Sequence, residues 1–375
     1  MDQRTRAYVA SGAIVGIFVL VQLGALALVG PFQDAGYQAV EDPQNPTNTL
    51  VYVAFILVMT GVMLLIIRYG VDQLLRLLLV GTGAYVGLFV LRVLVPPVVT
   101  VPVGGVELNA VAWAGGAALG LALWFHPEWY VIDAAGIVMG AGAAALFGIS
   151  FGVLPALLLL TVLAVYDAIS VYGTEHMLTL ASGVMELKVP IVLVVPLSLS
   201  YSYLDSGAPD TVSDGEDGPG GEDDGADGDR IGENETARAV ETDGSAEGRA
   251  EADGRDGETV REDEGEAEDL AIDREALFIG LGDAVIPSVL VASAAFFAPD
   301  SVPTVDLLGI PATLPALTAM VGTTAGLVVL LWMVLKGRAH AGLPLLNGGT
   351  IAGYLLGALA SGLTLAQATG LAPYL

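Results

Sequence analysis

Residues 152–173 read GVLPALLLLTVLAVYDAISVYG, and this stretch decides the fold of the chain. Asp167 is its only charged residue. An apolar run of about 18 residues or more can cross the roughly 30 Å hydrocarbon core of a bilayer as a helix. We therefore interpret residues 152–173 as a membrane span that carries one acidic residue.

Eight further apolar runs give the chain the composition of a membrane protein. Hydrophobic residues make up 54% of the 375 residues and charged residues only 15%, whereas soluble domains carry about 25% charged residues. The sequence predicts an all-α, polytopic membrane protein of about nine transmembrane helices. The predicted spans are 7–30, 49–68, 73–95, 106–125, 129–149, 152–173, 276–297, 311–335 and 344–368.

The connection after the sixth span begins with residues 174–203, a segment whose hydropathy leaves its placement ambiguous. Met177–Lys188 fits a short interfacial helix, and Val189–Ser200 is too short to span alone. We therefore assign this segment to the amino-terminal membrane half without a further span.

The net charge of −27 is concentrated in the rest of that connection. Residues 204–273 contain 26 Asp or Glu and five Arg, a net charge of −21. They have almost no large apolar side chains, so they cannot bury enough surface to offset the entropy of ordering. We predict a long disordered acidic loop between spans six and seven. It divides the chain into two membrane halves, residues 1–203 and 274–375.

Basic residues at the ends of the spans predict the orientation. Positively charged residues near span ends favour the cytoplasmic side, whereas acidic residues and long loops carry little weight. With nine spans, six basic residues near these ends fall on one side of the membrane. The amino terminus and the acidic loop are then cytoplasmic, and the carboxyl terminus lies outside. The residues are Arg4, Arg6, Arg68, Arg76, Lys336 and Arg338.

Three aspartates inside spans require an explanation, because a charge near the bilayer centre costs about 2.5–3.5 kcal/mol. Asp133 lies one turn from Trp129 and is interpreted as part of an interfacial aromatic belt. Asp167 and Asp283 lie deeper, in the last third of span six and the first third of span seven. In the predicted topology both approach the same face of the membrane at similar depth.

Two close carboxyls tend to share one proton. One can then act as a base toward water while the other donates a hydrogen bond to a peptide carbonyl. Gly280 and Gly282 carry no side chains and would let another backbone approach Asp283 closely. The pair therefore has the chemistry needed to hydrolyse a peptide.

Residue chemistry alone leaves other interpretations open. The same aspartates suit a structural pair or a proton- or cation-coupled transporter, although the internal repeats common in transporters are not found. Residues 148–152 fit the G-x-S-x-G serine elbow, but that elbow requires a strand-turn-helix setting. The chain has no cysteine, no H-E-x-x-H motif and only three scattered histidines, which argues against a metal site.

The residues around the two aspartates resemble the motifs of one enzyme family. Tyr166-Asp167 and Gly280-Leu281-Gly282-Asp283 are similar to the YD and GLGD motifs of the presenilin and signal peptide peptidase family. The chain most resembles archaeal members of that family, with nine spans and a long loop between spans six and seven. A third motif, PAL or PALP, opens the last span of the family. The corresponding residues are Ala341-Gly342-Leu343-Pro344, of which only Leu343 and Pro344 match.

The resemblance implies an intramembrane aspartyl protease that cleaves within or near transmembrane segments of membrane proteins. It implies no metal and no cofactor. The expected partners are substrate transmembrane segments and the lipid bilayer, not nucleic acid, and a homo-oligomer is compatible with the sequence. An extended substrate could add as a strand beside the glycine-rich segment. The implied catalytic residues are Asp167 and Asp283, with Tyr166, Gly280, Leu281, Gly282, Leu343 and Pro344 as supporting or substrate-binding residues.

Overall fold

The computed structural model describes residues 3–173, 192–198, 201–202, 276–336 and 341–374. Within these residues the chain forms nine apolar helices and one short helix near its carboxyl end. Seven are long and apolar enough to cross a membrane, and α4 and α7 are shorter apolar helices of 16 residues each. The helices are α1 (Gln3–Asp34), α2 (Thr47–Arg68), α3 (Asp72–Leu94), α4 (Ala110–Phe125), α5 (Trp129–Ser150), α6 (Val153–Gly173), α7 (Leu281–Phe296), α8 (Leu314–Leu335), α9 (Gly342–Ala360) and α10 (Leu365–Ala368).

Three small antiparallel sheets of two strands each accompany the helices. Two are local hairpins that lead into α4 and α8, and the third joins distant parts of the chain. The strands are β1 (Thr100–Val103) with β2 (Val106–Asn109), β3 (Val192–Pro196) with β4 (Ala276–Gly280), and β5 (Thr304–Leu307) with β6 (Ile310–Thr313).

The predicted order of nine apolar helices is confirmed, but several boundaries are wrong, and the first span, predicted at 7–30, extends over Gln3–Asp34. The spans predicted to start at 106, 276 and 311 begin with the strands β2, β4 and β6 instead. Hydropathy does not distinguish an apolar strand from an apolar helical turn, and the partner strands lie outside each run. The predicted last span, 344–368, ends at Ala360, because the chain turns at Gly362 with a φ of 86° before α10 begins.

The β3–β4 pair is the long-range connection that bears on the two aspartates. Val192 lies opposite Gly280, and Pro196 lies opposite Ala276. The segment Val189–Ser200, which is too short to span, thus contributes a strand. The predicted acidic loop at 204–273 and the interfacial helix at Met177–Lys188 lie outside the described residues.

The centre of the bundle is α5, which packs against α1, α3 and α7. Small residues cover much of its buried surface, so neighbouring helices approach it closely. In contrast, α2 lies at the periphery. It touches α6 through Thr49, whose hydroxyl donates to the Pro155 carbonyl at 2.9 Å, and most of its apolar side chains are exposed.

Glycines bring α8 and α9 into backbone contact. A methyl group added at Gly353 would overlap the Thr318 carbonyl oxygen. Added at Gly322 or Gly349, it would overlap the carbonyl oxygen of the other. Because backbone atoms cannot move aside as a flexible side chain can, these glycines fix the separation of the two helices.

We expect Gly353→Leu to destabilise the protein by more than about 2 kcal/mol, because overpacking a tight contact forces the helices apart. Thermal unfolding in detergent measures the loss. Gly348→Leu is the matched control on the same helix, since no heavy atom lies within 4 Å of the position of its added Cβ. Equal melting temperatures for the two variants would contradict the assignment of Gly353 to a backbone contact.

Candidate active site

Asp167 lies near the end of α6 and is held by the first turn of α9. Its carboxyl is 6% exposed, and its Oδ2 accepts a hydrogen bond from the Leu343 N–H at 3.0 Å. A second contact joins the same helices about two turns earlier on α6 and one turn later on α9, where the Asn347 side-chain amide donates to the Leu160 carbonyl at 2.9 Å. These two bonds fix α9 along α6, and the first of them orients Asp167.

Asp283 lies in the first turn of α7, directly after β4. Its carboxyl folds back toward the start of the helix, and a methyl group added at Gly280 would be 3.3 Å from Oδ2. Gly280 is the residue that caps α7, and no side chain hydrogen bond caps the helix there. A carboxylate near a helix amino terminus interacts favourably with the unpaired N–H groups. The absence of a side chain at position 280 therefore leaves room for the carboxyl.

The first residues of α9 bring the two aspartates into one site. A methyl group added at Gly342 would lie 3.8 Å from Asp283 Oδ2, and the N–H of the next residue, Leu343, bonds to Asp167. Of two consecutive residues of α9, one thus lies beside Asp283 and the next bonds to Asp167, so the site is formed by α6, α7 and α9.

Leu281 attaches the glycine-rich turn to α5. Methyl groups added at Gly136 and Gly140 would lie 3.6 Å and 3.3 Å from its Cδ1. Leu281 therefore fills a groove in α5 and supports the turn by packing. This role differs from contact with a substrate.

Two of the residues implied by the resemblance face open space. Gly282 is exposed, and no heavy atom lies within 4 Å of the position of a Cβ there. Tyr166 is 51% exposed beside Asp167. Pro344 lies one residue beyond Leu343 in the first turn of α9, where a missing N–H is tolerated.

Sequence reasoning missed three residues of this region. Gly342 was noted only as a departure from the PAL pattern, and Asn347 was not considered. Asn347 could have been noticed as a side-chain amide in an apolar span, one turn after Leu343. Asp133 was interpreted only as part of an interfacial belt, and its bond was not foreseen: it is 8% exposed and accepts a hydrogen bond from the Val194 N–H at 2.8 Å.

Among the residues that the structure describes, the candidates for a metal site or a serine nucleophile do not form either one near the pair. Among the described residues, no group of three or more His, Asp or Glu could hold a metal ion. Ser150 of the G-x-S-x-G match is 1% exposed, and its hydroxyl accepts a hydrogen bond from the Ala39 N–H at 2.9 Å. It ends α5 and joins it to the connection before α2, which is a structural role.

Comparisons with known proteins agree with this arrangement. The sequence matches the family described as signal-peptide peptidase, presenilin aspartyl protease over residues 15–222 and 245–363. No curated protein matches the chain. The comparisons give no support to the transporter alternative.

Two solved structures resemble the chain over nearly its whole length. The structure of a presenilin family intramembrane aspartate protease in space group C222 is 29% identical, covers 93% of this chain and 99% of its own, and has a TM-score of 0.54. The structure described in the same words in space group P2 is 29% identical, covers 93% and 97%, and has a TM-score of 0.53. Together with the family match, they show that this chain belongs to the signal-peptide peptidase and presenilin family and is a multi-pass intramembrane aspartyl protease.

Proposed function

We propose that Asp167 and Asp283 are the catalytic pair of this protease. The observation that carries the proposal is the start of α9, where Leu343 bonds to Asp167 and Gly342 lies beside Asp283. One carboxyl, ionised, takes a proton from a water molecule, and the other, protonated, donates a hydrogen bond to the scissile carbonyl. The water oxygen adds to the carbonyl carbon. Collapse of the tetrahedral intermediate, with a proton passed to the nitrogen, then breaks the C–N bond.

We propose that the substrate is a transmembrane segment that approaches from the lipid along α6. An apolar stripe on α6 is left uncovered by the rest of the described chain and ends beside Asp167. The neighbouring α2 contacts the opposite end of α6, where the Thr49 hydroxyl donates to the Pro155 carbonyl at 2.9 Å and Tyr52 packs on Phe151, just before α6, with ring centroids 4.4 Å apart. The exposed side chains of the stripe are Leu158, Val162, Val165, Tyr166 and Ile169.

The substrate must be unwound where it is cut, because an intact helix keeps its carbonyls in backbone hydrogen bonds. Gly282 supports this step, since the space above it lets an extended backbone come close to Asp283. An extended segment could pair there as a strand, as β3 already does with β4. Pro344 and Tyr166 are the remaining candidates for substrate contact.

We propose that the aspartates lie toward the cytoplasmic face. Helix alternation places the start of α3 and the ends of α4 and α8 on the same side as the pair. Arg76, at the start of α3, donates to the Trp124 carbonyl at 2.6 Å and lies 5.1 Å from its ring. Lys336 lies 4.4 Å from the ring of Trp332. Basic and aromatic residues at one set of helix ends support a cytoplasmic side there.

We also propose that the acidic segment is a separate part between two membrane halves. Each half supplies one aspartate, Asp167 from residues 1–203 and Asp283 from residues 274–375. The pairing of β3 with β4 joins the halves next to the site. The catalytic geometry therefore does not depend on the length of the connection between them.

The catalytic assignment predicts that Asp167→Ala and Asp283→Ala each lower the cleavage rate roughly 100- to 10,000-fold. Asp283→Asn should be equally impaired, because an amide can neither act as a base nor share the proton. Cleavage of a model membrane substrate by the purified protein in lipid is the measurement, with melting temperatures to show that the variants fold. Robust hydrolysis in either alanine variant would exclude the pair, and ion transport without proteolysis would favour the transporter.

Substitution of Gly282 tests the approach of the substrate backbone. Because Gly282 is exposed and no heavy atom lies within 4 Å of an added Cβ, Gly282→Leu should fold normally and still lower turnover roughly 10- to 100-fold by keeping the scissile bond from Asp283. Gly12→Leu on α1 is the control, since it also points into open space. Wild-type turnover in Gly282→Leu would show that no backbone passes over this glycine.

Replacing residues 210–265 by a short flexible linker should leave the protein folded and active. The β3–β4 pairing holds both ends of the connection, and a roughly threefold shorter loop lowers the entropy cost of closure by about 1 kcal/mol. Thermal stability and cleavage of the model substrate are measured side by side. A well-folded but inactive replacement would assign the acidic segment a role in gating or presenting substrate.

A further inference from the structure

Asp133, a buried acid outside the proposed catalytic pair, forms a hydrogen bond with the neighbouring strand β3. Asp133 lies in the second turn of α5, is 8% exposed, and accepts the Val194 N–H at 2.8 Å through Oδ1. A buried acid in a membrane helix is costly and requires a function. The catalytic mechanism does not use this one.

The hydrogen bond ties the outer edge of β3 to α5. Val194 lies opposite Phe278 of β4. In an antiparallel pair, opposed residues alternate between those that exchange backbone hydrogen bonds and those that exchange none. The Val194 N–H is bonded to Asp133, so it points away from β4. One edge of β3 therefore binds β4, and the other edge binds the α5 carboxylate.

The same face of α5 supports the neighbouring side chains. Asp133, Gly136 and Gly140 are spaced three and four residues apart and so lie along one side of the helix. A methyl group added at Gly136 would be only 2.8 Å from Cδ2 of Leu193 and 3.6 Å from Cδ1 of Leu281. This face contacts β3 and the glycine-rich turn together.

A second acid holds the chain beyond β3. The Ser202 hydroxyl donates to Glu128 Oε1 at 2.7 Å, and Glu128, just before α5, is 9% exposed. Asp133 bonds to Val194 within β3, and Glu128 bonds to Ser202 after the strand has ended. The strand is therefore fixed along its length as well as against its partner.

The position of β3 bears directly on Asp283. Gly280 ends β4 and Leu281 begins α7, so no residue separates the strand from the catalytic helix. Slippage of a strand by one residue moves it by about 3.3 Å, whereas a catalytic group must be held within about 0.5 Å. Any looseness of the β3–β4 pair would displace Asp283 relative to Asp167.

We propose that Asp133 is a positioning residue of the protease, whose hydrogen bond to the Val194 N–H fixes the β3–β4 pair on α5 and thereby places Asp283 opposite Asp167. The inference rests on the proposed catalytic roles of these two aspartates. It assigns Asp133 an effect on turnover that acts through a backbone donor. The essential property is therefore an acceptor oxygen at this position, not a negative charge.

Two substitutions remove the bond from opposite sides. Asp133→Ala deletes the acceptor, and Val194→Pro deletes the donor while sparing the β3–β4 ladder, because that N–H points away from β4. Each should lower kcat for a model substrate in lipid roughly 10- to 100-fold, with KM changed less than about threefold. Asp133→Asn keeps an oxygen at Oδ1 and should recover most of the lost turnover.

The double variant tests whether the two residues act through one bond. If they do, Asp133→Ala with Val194→Pro should be no slower than the slower single variant. Asp306→Ala is the matched control, because Asp306 Oδ1 accepts the Gly309 N–H at 2.7 Å at the opposite end of the bundle. That variant removes the same kind of bond and should keep wild-type turnover.

Several outcomes would overturn the proposal. These are wild-type kcat in Asp133→Ala and Val194→Pro, equal losses in Asp133→Asn and Asp133→Ala, or multiplicative losses in the double variant. If Asp133→Ala does not fold, Asp133→Asn and Val194→Pro decide, since only the proline variant should be impaired. Asp167→Ala and Asp283→Ala, measured in the same assay, distinguish a failure of the catalytic assignment from a failure of the Asp133 proposal. Activity in those variants rejects the catalytic pair, whereas their inactivity beside unimpaired Asp133 and Val194 variants rejects only this inference.

Discussion

The hydrogen bond from the Leu343 N–H to Asp167 is the contact on which the site depends. It places the start of α9 against the end of α6 and brings Gly342 beside Asp283. Two carboxyls inside a membrane protein are costly unless polar partners surround them. The Leu343 N–H at the start of α9 is such a partner for Asp167, and Asp283 lies in the first turn of α7, where the helix dipole favours a negative charge. The amino termini of two helices therefore favour the negative charge of the two neighbouring acids, of which Asp167 is buried and Asp283 half-buried.

Much of this arrangement could be predicted from the sequence. The long apolar runs identify the helices because spanning a bilayer demands both length and low polarity, and the two aspartates stand out against that background. The strands at 106–109, 276–280 and 310–313 could not be found in the same way. Their composition is that of a helix end. In particular, β4 is a strand only because Val192–Pro196, far away in the chain, pairs with it.

The residues that support the site were harder to predict than the acids themselves. Leu281 acts through a groove made by Gly136 and Gly140, and such a groove is visible only once α5 is placed beside α7. Asp133 stands one turn after aromatic residues, which suggests the membrane interface. Its partner is a backbone N–H of a strand that the sequence did not reveal. Contacts between a side chain and a distant backbone leave no periodic pattern in a sequence.

The close packing of α8 against α9 has a mechanical consequence. Helices that touch backbone to backbone, as at Gly322 and Gly349, cannot slide or tilt independently without collision. The start of α9 therefore belongs to a stiff two-helix unit that serves as the fixed wall of the active site. Helix α6 has an uncovered apolar face, and α2 touches it only at its far end. Among the described residues, the open side of the site is therefore the face of α6, opposite the stiff wall that orients the Asp167 carboxyl.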